Sequence, residues 1–170
     1  MTIFSAQSKI ADPSVTVRPL NLADSGLERD FIKNLSEETK RYRFLCAVKE
    51  LPNPELKQLC TVDGNRSMAF VATVTVGGRE TEIGVCRYAE SARDNVREMA
   101  ITIADSWKHR GLAQLLLKRL IDYAKSHGIT QLYSVNRVDD EAMAEIATEF
   151  GMTKNPDPDD ASQVVYSMKM

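Results

Sequence analysis

Apolar and polar residues in the first third of the chain predict one strand followed by two helices. The strand is expected over residues 15–19, where Pro19 ends it. Asn21 or Asp24 can cap a helix that runs toward Leu35. A second helical stretch follows, with Pro54 near its start.

The middle of the chain has the pattern of an antiparallel meander. Residues 67–76 are rich in β-branched and apolar side chains, and Gly77 and Gly78 supply a two-residue turn before strand character resumes at residues 79–88. Residues 95–103 predict a third consecutive strand. Sequential strands joined by short turns indicate antiparallel pairing.

The last third alternates between helix and strand. Apolar residues recur three and four apart over residues 111–125, which is typical of an amphipathic helix. Strands are expected at residues 131–135 and 164–170, with a helix at 139–150 and a polar loop at 156–160 between them. The whole order predicts an α+β fold with a mixed, mostly antiparallel central sheet and helices on both faces.

Composition narrows the class of protein. The chain has 170 residues, of which 43% are hydrophobic and 27% are charged, so we expect one domain over residues 15–170 after a tail at residues 1–14. No stretch is apolar enough to span a bilayer, and the start lacks a secretory pattern, which predicts a cytoplasmic protein. The net charge of -2 argues against a main role in binding nucleic acid.

A basic stretch with a glycine lies between the third meander strand and the long helix. Backbone N–H groups in such a turn, with the positive end of the helix dipole, can bind a diphosphate, and Gly111 allows close approach. The basic side chains would add positive charge there. Alternatively, Gly111 only starts the helix and these side chains are solvated. The stretch consists of Lys108, His109, Arg110, Gly111, Leu112 and Ala113.

These residues resemble the acetyl-CoA signature of the GNAT (Gcn5-related N-acetyltransferase) family, which reads Gln or Arg, two residues, Gly, one residue, Gly or Ala. Lys108 stands at the first position and keeps the register. Residues 17–152 as a whole resemble the catalytic domain of bacterial Pat-type protein lysine acetyltransferases. The segments that carry this wider resemblance are 35–36, 41–44, 61–63, 83–88 and 97–103.

The resemblance implies that Glu98 is the general base. An ammonium acceptor with a pKa of about 10.4 must lose a proton before it attacks a thioester, and a carboxylate on a central strand can take that proton. We expect partial burial to raise the pKa of Glu98 toward neutrality. From the residues alone, Glu98 could equally be a surface strand residue; alternation places Ala100 and Thr102 on its face.

The family opens a gap between this strand and the next, which implies a path for the pantetheine arm of acetyl-CoA. The backbone of Ile101, Thr102 and Ile103 would contact that arm, and the Ile101 amide would polarise the thioester carbonyl. Asp140 falls where many family members carry an Asn that touches CoA. The plainer role for the neighbouring Asp139 is a helix N-cap.

The sequence therefore predicts an enzyme that moves acetyl from acetyl-CoA to a primary amine by direct attack, with a protein lysine as the first candidate acceptor. Small amines (a polyamine, an amino acid or an aminoglycoside) and a non-catalytic acyl-CoA sensor are the alternatives. No metal is expected, because His109 and His127 are too far apart, and no nucleic acid or membrane partner is expected. Monomer and homodimer both stay open. Neither Tyr123 nor Tyr133 occupies the family's usual general-acid position.

Overall fold

The computed structural model describes residues 14–170, so residues 1–13 of the expected tail lie outside the described part. The chain forms one seven-stranded sheet with the order β1-β2-β3-β4-β5-β7-β6. The strands are β1 Thr16–Pro19, β2 Met68–Val76, β3 Arg79–Glu90, β4 Val96–Ile103, β5 Gln131–Arg137, β6 Thr153–Pro156 and β7 Gln163–Lys169. The α-helices are α1 Ser25–Asn34, α2 Glu37–Phe44, α3 Asn53–Cys60, α4 Leu112–Ser126 and α5 Glu141–Glu149; short 3-10 turns cover Leu22–Asp24 and Asp105–Trp107.

Neighbouring strands pair antiparallel except β4 and β5, which are parallel. The predicted turn between β2 and β3 is present, and both of its glycines have positive φ, 57° at Gly77 and 77° at Gly78. Positive φ at both central residues matches the twist of the flanking strands. The predicted α+β fold with a mixed, mostly antiparallel sheet is confirmed.

Apolar cores lie on both faces of the sheet. On one face, α4 and α5 bury their apolar stripes against the strands, with Leu116, Leu120 and Met143 almost fully covered. On the other face, α1 and α3 do the same through Phe31 and Leu56. Fully burying one such side chain stabilises the fold by about 1.5–3 kcal/mol. The helices therefore hold the central strands from both sides.

Two elements were not expected from the sequence. Helix α2 (EETKRYRF) has no apolar stripe; it begins because the Ser36 hydroxyl accepts a hydrogen bond from the Thr39 amide at 3.2 Å. Strand β6 is exposed along its whole length, so it shows no alternation, and it takes in Pro156 from the expected polar loop. Pairing with β7 makes it a strand.

Candidate functional site

The parallel strands β4 and β5 separate halfway along the sheet. They pair only at Val96 with Gln131, Arg97 with Leu132 and Glu98 with Tyr133. Residues 99–103 pair with β3 alone, and residues 134–137 pair with β7 alone. The gap exposes strand backbone that has no neighbour on one side, which leaves N–H and C=O groups for a ligand to bind.

A cleft of about 820 Å³ lies at this gap. Its size falls within the range of roughly 300–1,000 Å³ that is usual for small-molecule sites. The walls come from β4, β5, α2, α5 and the start of α4. The residues expected at the site that line this cleft are Glu98, Ile101, Thr102, Ile103, Lys108, His109, Gly111, Leu112, Ala113 and Asp140.

The loop before α4 has the geometry of an anion-binding turn. His109 and Gly111 have positive φ, 58° and 81°, which turns the chain sharply into the helix. Gly111 is the N-cap of α4, no side chain caps this end, and the first turn carries no acidic residue. The helix can pack closely on the sheet because Gly84 opposite it lacks a side chain: a Cβ there would lie 3.2 Å from Leu112. The first N–H groups of α4 are thus left for an anion.

Two basic side chains of this loop contact other groups of the protein. The Lys108 ammonium donates to Asp105 Oδ1 at 2.8 Å and to the Thr39 hydroxyl. Arg110 does not line the cleft; its guanidinium lies 5.0 Å from the centre of the Trp107 ring. Lys108 and Arg110 therefore both have partners within the protein, and their contribution to ligand binding stays a prediction.

Glu98 lies at the point where β4 and β5 separate, and its side chain lines the cleft. It is exposed, so the partial burial expected for it is not found. The Tyr133 hydroxyl donates to Glu98 Oε2 at 3.4 Å, a long hydrogen bond. Burial and the negative charge of Glu98 raise the pKa of Tyr133. Met99 and Ile103 face the α4 core while Thr102 pairs beside Val85 of the other core, so the predicted alternation of β4 is confirmed.

Helix α2, which the sequence did not predict as a helix, supplies a wall of the cleft. Tyr42, Arg43 and Phe44 all line the cleft. Burial, together with the positive charge of Arg87, lowers the pKa of Arg43 to about 10, which leaves it charged at neutral pH. The signal in the sequence was Ser36, a good N-cap residue just before this helix.

The aspartate that caps α5 differs from the prediction. Asp140 caps α5, because its Oδ1 accepts a hydrogen bond from the Met143 amide at 3.0 Å, so the N-cap assignment to Asp139 is wrong. Asp139 instead accepts from Arg137 Nε at 3.0 Å and lies 3.6 Å from Arg41. Burial raises the pKa of Asp140, although it still lines the cleft.

Residues 14–170 contain neither a group of metal ligands nor a membrane-spanning helix. No group of three or more His, Cys, Asp or Glu residues in this part is arranged to hold a metal ion. None of the helices described there is both long and apolar enough to cross a membrane.

Comparison with known proteins identifies the family. The family model described as Acetyltransferase (GNAT) domain matches residues 14–153. Acetyltransferase PA5475 of Pseudomonas aeruginosa is 39% identical over 156 residues, which cover 92% of this chain and 84% of that protein.

Solved structures agree on the fold. The GNAT domain of S. lividans PAT superposes with a TM-score of 0.81 at 22% identity, covering 92% of this chain and 90% of that one. The ribosomal-protein-S5-alanine acetyltransferase of Vibrio fischeri has a TM-score of 0.74 at 13% identity and covers 92% and 93%. At such identities the likeness shows the fold alone, while the family match and the P. aeruginosa relative rest on sequence. This chain belongs to the GNAT acetyltransferase family.

Proposed function

We propose that this GNAT enzyme acetylates the side-chain amine of a protein lysine, with acetyl-CoA bound in the gap between β4 and β5. The observation that carries the proposal is the separation of these strands beyond Glu98, next to the uncapped start of α4. The gap offers strand backbone to an extended amide-bearing chain, and the helix start offers N–H groups to a diphosphate. Both features lie in one cleft of suitable size.

Three parts of acetyl-CoA would have matching groups in the cleft: the diphosphate, the pantetheine arm and the thioester. The backbone N–H groups from His109 to Ala113 would bind the diphosphate. The β4 backbone at Ile101, Thr102 and Ile103 would bind the pantetheine amides, since this stretch pairs only with β3. The Ile101 N–H would then stabilise the negative charge that develops on the thioester oxygen.

Glu98 would accept the proton of the attacking amine. Its carboxylate lines the cleft where the two strands diverge, and it is exposed enough to receive a proton directly or through one water. The amine then attacks the thioester carbonyl, the C–S bond breaks, and CoA leaves as the thiolate. No covalent acyl-enzyme is required, and burial raises the pKa of the nearest strand cysteine, Cys86, to about 12, which disfavours a thiolate nucleophile there.

A cationic acceptor fits the charge around the cleft. Carboxylates of Glu38, Glu98 and Glu141 line it and would attract an ammonium group. The alternative acceptors, small amines, share the same charge and are separated from lysine by experiment. A cytoplasmic location, a single domain over residues 15–170 and independence from metal remain predictions.

The test is a CoA-release assay with acetyl-CoA and a panel of lysine-containing proteins, lysine peptides and small amines, run on wild type, Glu98→Gln and Glu90→Gln. Glu90 is exposed at the end of β3, outside the cleft lining, so it is the matched control. We expect Glu98→Gln to lower kcat by about 10²–10⁴-fold, the usual contribution of a general base. Its acetyl-CoA affinity should not change.

Three other outcomes would each correct a different part of the proposal. Turnover of small amines alone would remove the protein acceptor. Acetyl-CoA binding without any turnover would indicate a sensor. An unchanged rate in Glu98→Gln would remove Glu98 from the mechanism while leaving the enzyme in place.

A further inference from the structure

Asp105 stands at the centre of a hydrogen-bonded group that joins two distant parts of the chain. Its Oδ2 accepts from the Ser36 amide at 2.8 Å. Its Oδ1 accepts from the Ser36 hydroxyl at 2.9 Å, the Thr39 hydroxyl at 2.7 Å and the Lys108 ammonium at 2.8 Å. We call Ser36, Thr39, Asp105 and Lys108 the Asp105 cluster. It ties the first turn of α2 to the segment between β4 and α4.

The four donors hold Asp105 in its charged form. Desolvation alone would raise its pKa, but the hydrogen bonds from Lys108, Ser36 and Thr39 outweigh it and hold the pKa well below the usual range for Asp. Charge-assisted hydrogen bonds are the stronger ones, and here several converge on one carboxylate. Asp105 is therefore ionised at neutral pH and can accept all four hydrogen bonds.

The second half of α2 is attached to the other side of the gap. The Tyr42 hydroxyl donates to the Asp139 carbonyl at 3.2 Å, and the Arg41 guanidinium lies 3.6 Å from the Asp139 carboxylate. Asp105 follows β4 and Asp139 follows β5. Helix α2 thus bridges the ends of the two strands that separate to form the cleft, and three of its last four residues, Tyr42, Arg43 and Phe44, line that cleft.

The Lys108 ammonium is not free to bind a phosphate group. Its ammonium is shared between a carboxylate and the hydroxyl of Thr39, which is only 6% exposed. Moving this ammonium to a phosphate would leave a charged Asp105 without its cation and a buried hydroxyl without one partner. The N–H groups at the start of α4 need no such change to bind an anion.

We propose that Asp105 and Lys108 act as positioning residues for acetyl-CoA. Their ion pair fixes the loop before α4 against α2, so that the backbone N–H groups meet the diphosphate while the Lys108 side chain stays on Asp105 and Thr39. This inference rests on the proposed acetyl-CoA site. It assigns Lys108 a role opposite to that of a phosphate ligand, and the two roles predict different results.

The test is a double-mutant cycle read by calorimetric binding of acetyl-CoA to Asp105→Asn, Lys108→Met and the double variant. If the pair acts by positioning, each single variant weakens binding by about 10-fold, the equivalent of one charge-assisted hydrogen bond, and the double variant is no weaker than the worse single one. If Lys108 binds phosphate directly, Asp105→Asn leaves affinity unchanged or improves it, and only Lys108→Met weakens binding. That second pattern overturns the proposal.

Thr39 gives a second test that does not alter charge. Thr39→Val removes the hydroxyl that links Lys108 to Asp105 and keeps the side-chain shape, while Thr39→Ser keeps the hydroxyl and is the matched control. We expect Thr39→Val to raise KM for acetyl-CoA several-fold with kcat within about 2-fold of wild type, and Thr39→Ser to restore wild-type KM. Equal KM values in the two variants overturn the positioning role.

A surface ion pair on α4 provides a control for general effects of lost charge. Lys118 and Asp122 are 2.8 Å apart on an exposed face of α4, outside the cleft lining. Lys118→Met and Asp122→Asn should leave acetyl-CoA affinity unchanged. If wild type itself fails to bind acetyl-CoA, the proposed function is wrong; if wild type binds and only the cycle shows no coupling, the fault lies with this inference alone.

Discussion

Carboxyl groups in two regions of this molecule differ in their hydrogen-bond partners and in the direction of their pKa shifts. Asp105, at the rim of the cleft, has four hydrogen-bond donors and a lowered pKa. On the sheet face that α1 and α3 cover, Glu28 and Glu82 lie near the guanidinium of Arg87. We call these three residues the Glu82 cluster. Arg87 donates to Glu28 Oε1 and to the Leu59 carbonyl at 2.8 Å. Both Glu82 oxygens and Glu28 Oε2 lack a hydrogen-bond partner in the described part of the chain.

The contrast shows how the surroundings decide whether a carboxyl group keeps its charge. Burial and the negative charge of Glu28 raise the pKa of Glu82 well above its usual value, so folding favours the protonated form of Glu82 and the ionised form of Asp105. At the rim, donors can gather around a charge from several elements. In the interior, one guanidinium lies near two carboxyl groups. Protonation of Glu82 removes the negative charge that would otherwise be buried without a partner.

The largest expected effect follows from removing the cation of the Glu82 cluster. Arg87→Met leaves Glu28, which is 2% exposed, without its ion-pair partner. We expect the free energy of unfolding at neutral pH to fall by about 3–5 kcal/mol, as for other broken buried pairs. Urea denaturation measures this, with exposed Arg66→Met as the control. A loss below about 1 kcal/mol would show that the cluster is not coupled to folding.

A smaller loss is expected from Asp105→Asn, because the rim is partly solvated. We expect about 1–2 kcal/mol at pH 7, less than for a buried charged hydrogen bond. The pKa of Asp105 is lowered by folding, so its contribution is present above the unfolded pKa of about 3.9 and is lost as the pH falls below it. Unfolding of wild type and variant at several pH values should therefore converge in acid. A constant difference would contradict the assignment.

Glu82→Gln should have the opposite sign. Folding raises the pKa of Glu82, so wild type loses stability as the pH rises from about 4.3 toward that raised value, and a neutral amide does not. Each pH unit between the unfolded and folded pKa values costs wild type about 1.4 kcal/mol, so we expect Glu82→Gln to gain more than about 1 kcal/mol on wild type at pH 8 and nothing at pH 4. Thermal unfolding at both pH values measures it. Glu90→Gln, exposed at the end of β3, should show no pH-dependent gain.

The smallest effect is expected at the exposed pair of Lys118 and Asp122. Both side chains are about 60% exposed, so solvent screens the attraction between them. Lys118→Met should change the free energy of unfolding by less than about 0.5 kcal/mol. A larger loss would mean that the distance between the charged atoms, rather than their exposure to solvent, sets how much an ion pair stabilises this protein.

Most of the sheet could be predicted because its strands are apolar on at least one face or end in glycine turns. β2, β3 and β4 were found within two residues of their ends, and the apolar spacing of α4 placed that helix to within one residue. α2 and β6 carry no such pattern. The first depends on a cap and on contacts with Asp105 and Asp139, and the second depends on pairing with β7.

The sequence by itself determined the glycine loop at Gly111, the order of strands and helices, and the alternation of β4. That alternation puts Glu98 on the sheet face away from the α4 core. These depend on local geometry, since one residue type or one period is enough to set them. Only the tertiary structure decided at which residue the expected gap between β4 and β5 begins, that Lys108 pairs with Asp105, and that Asp140 rather than Asp139 caps α5. Each of these depends on distances between atoms of different elements, and sequence spacing does not report such distances.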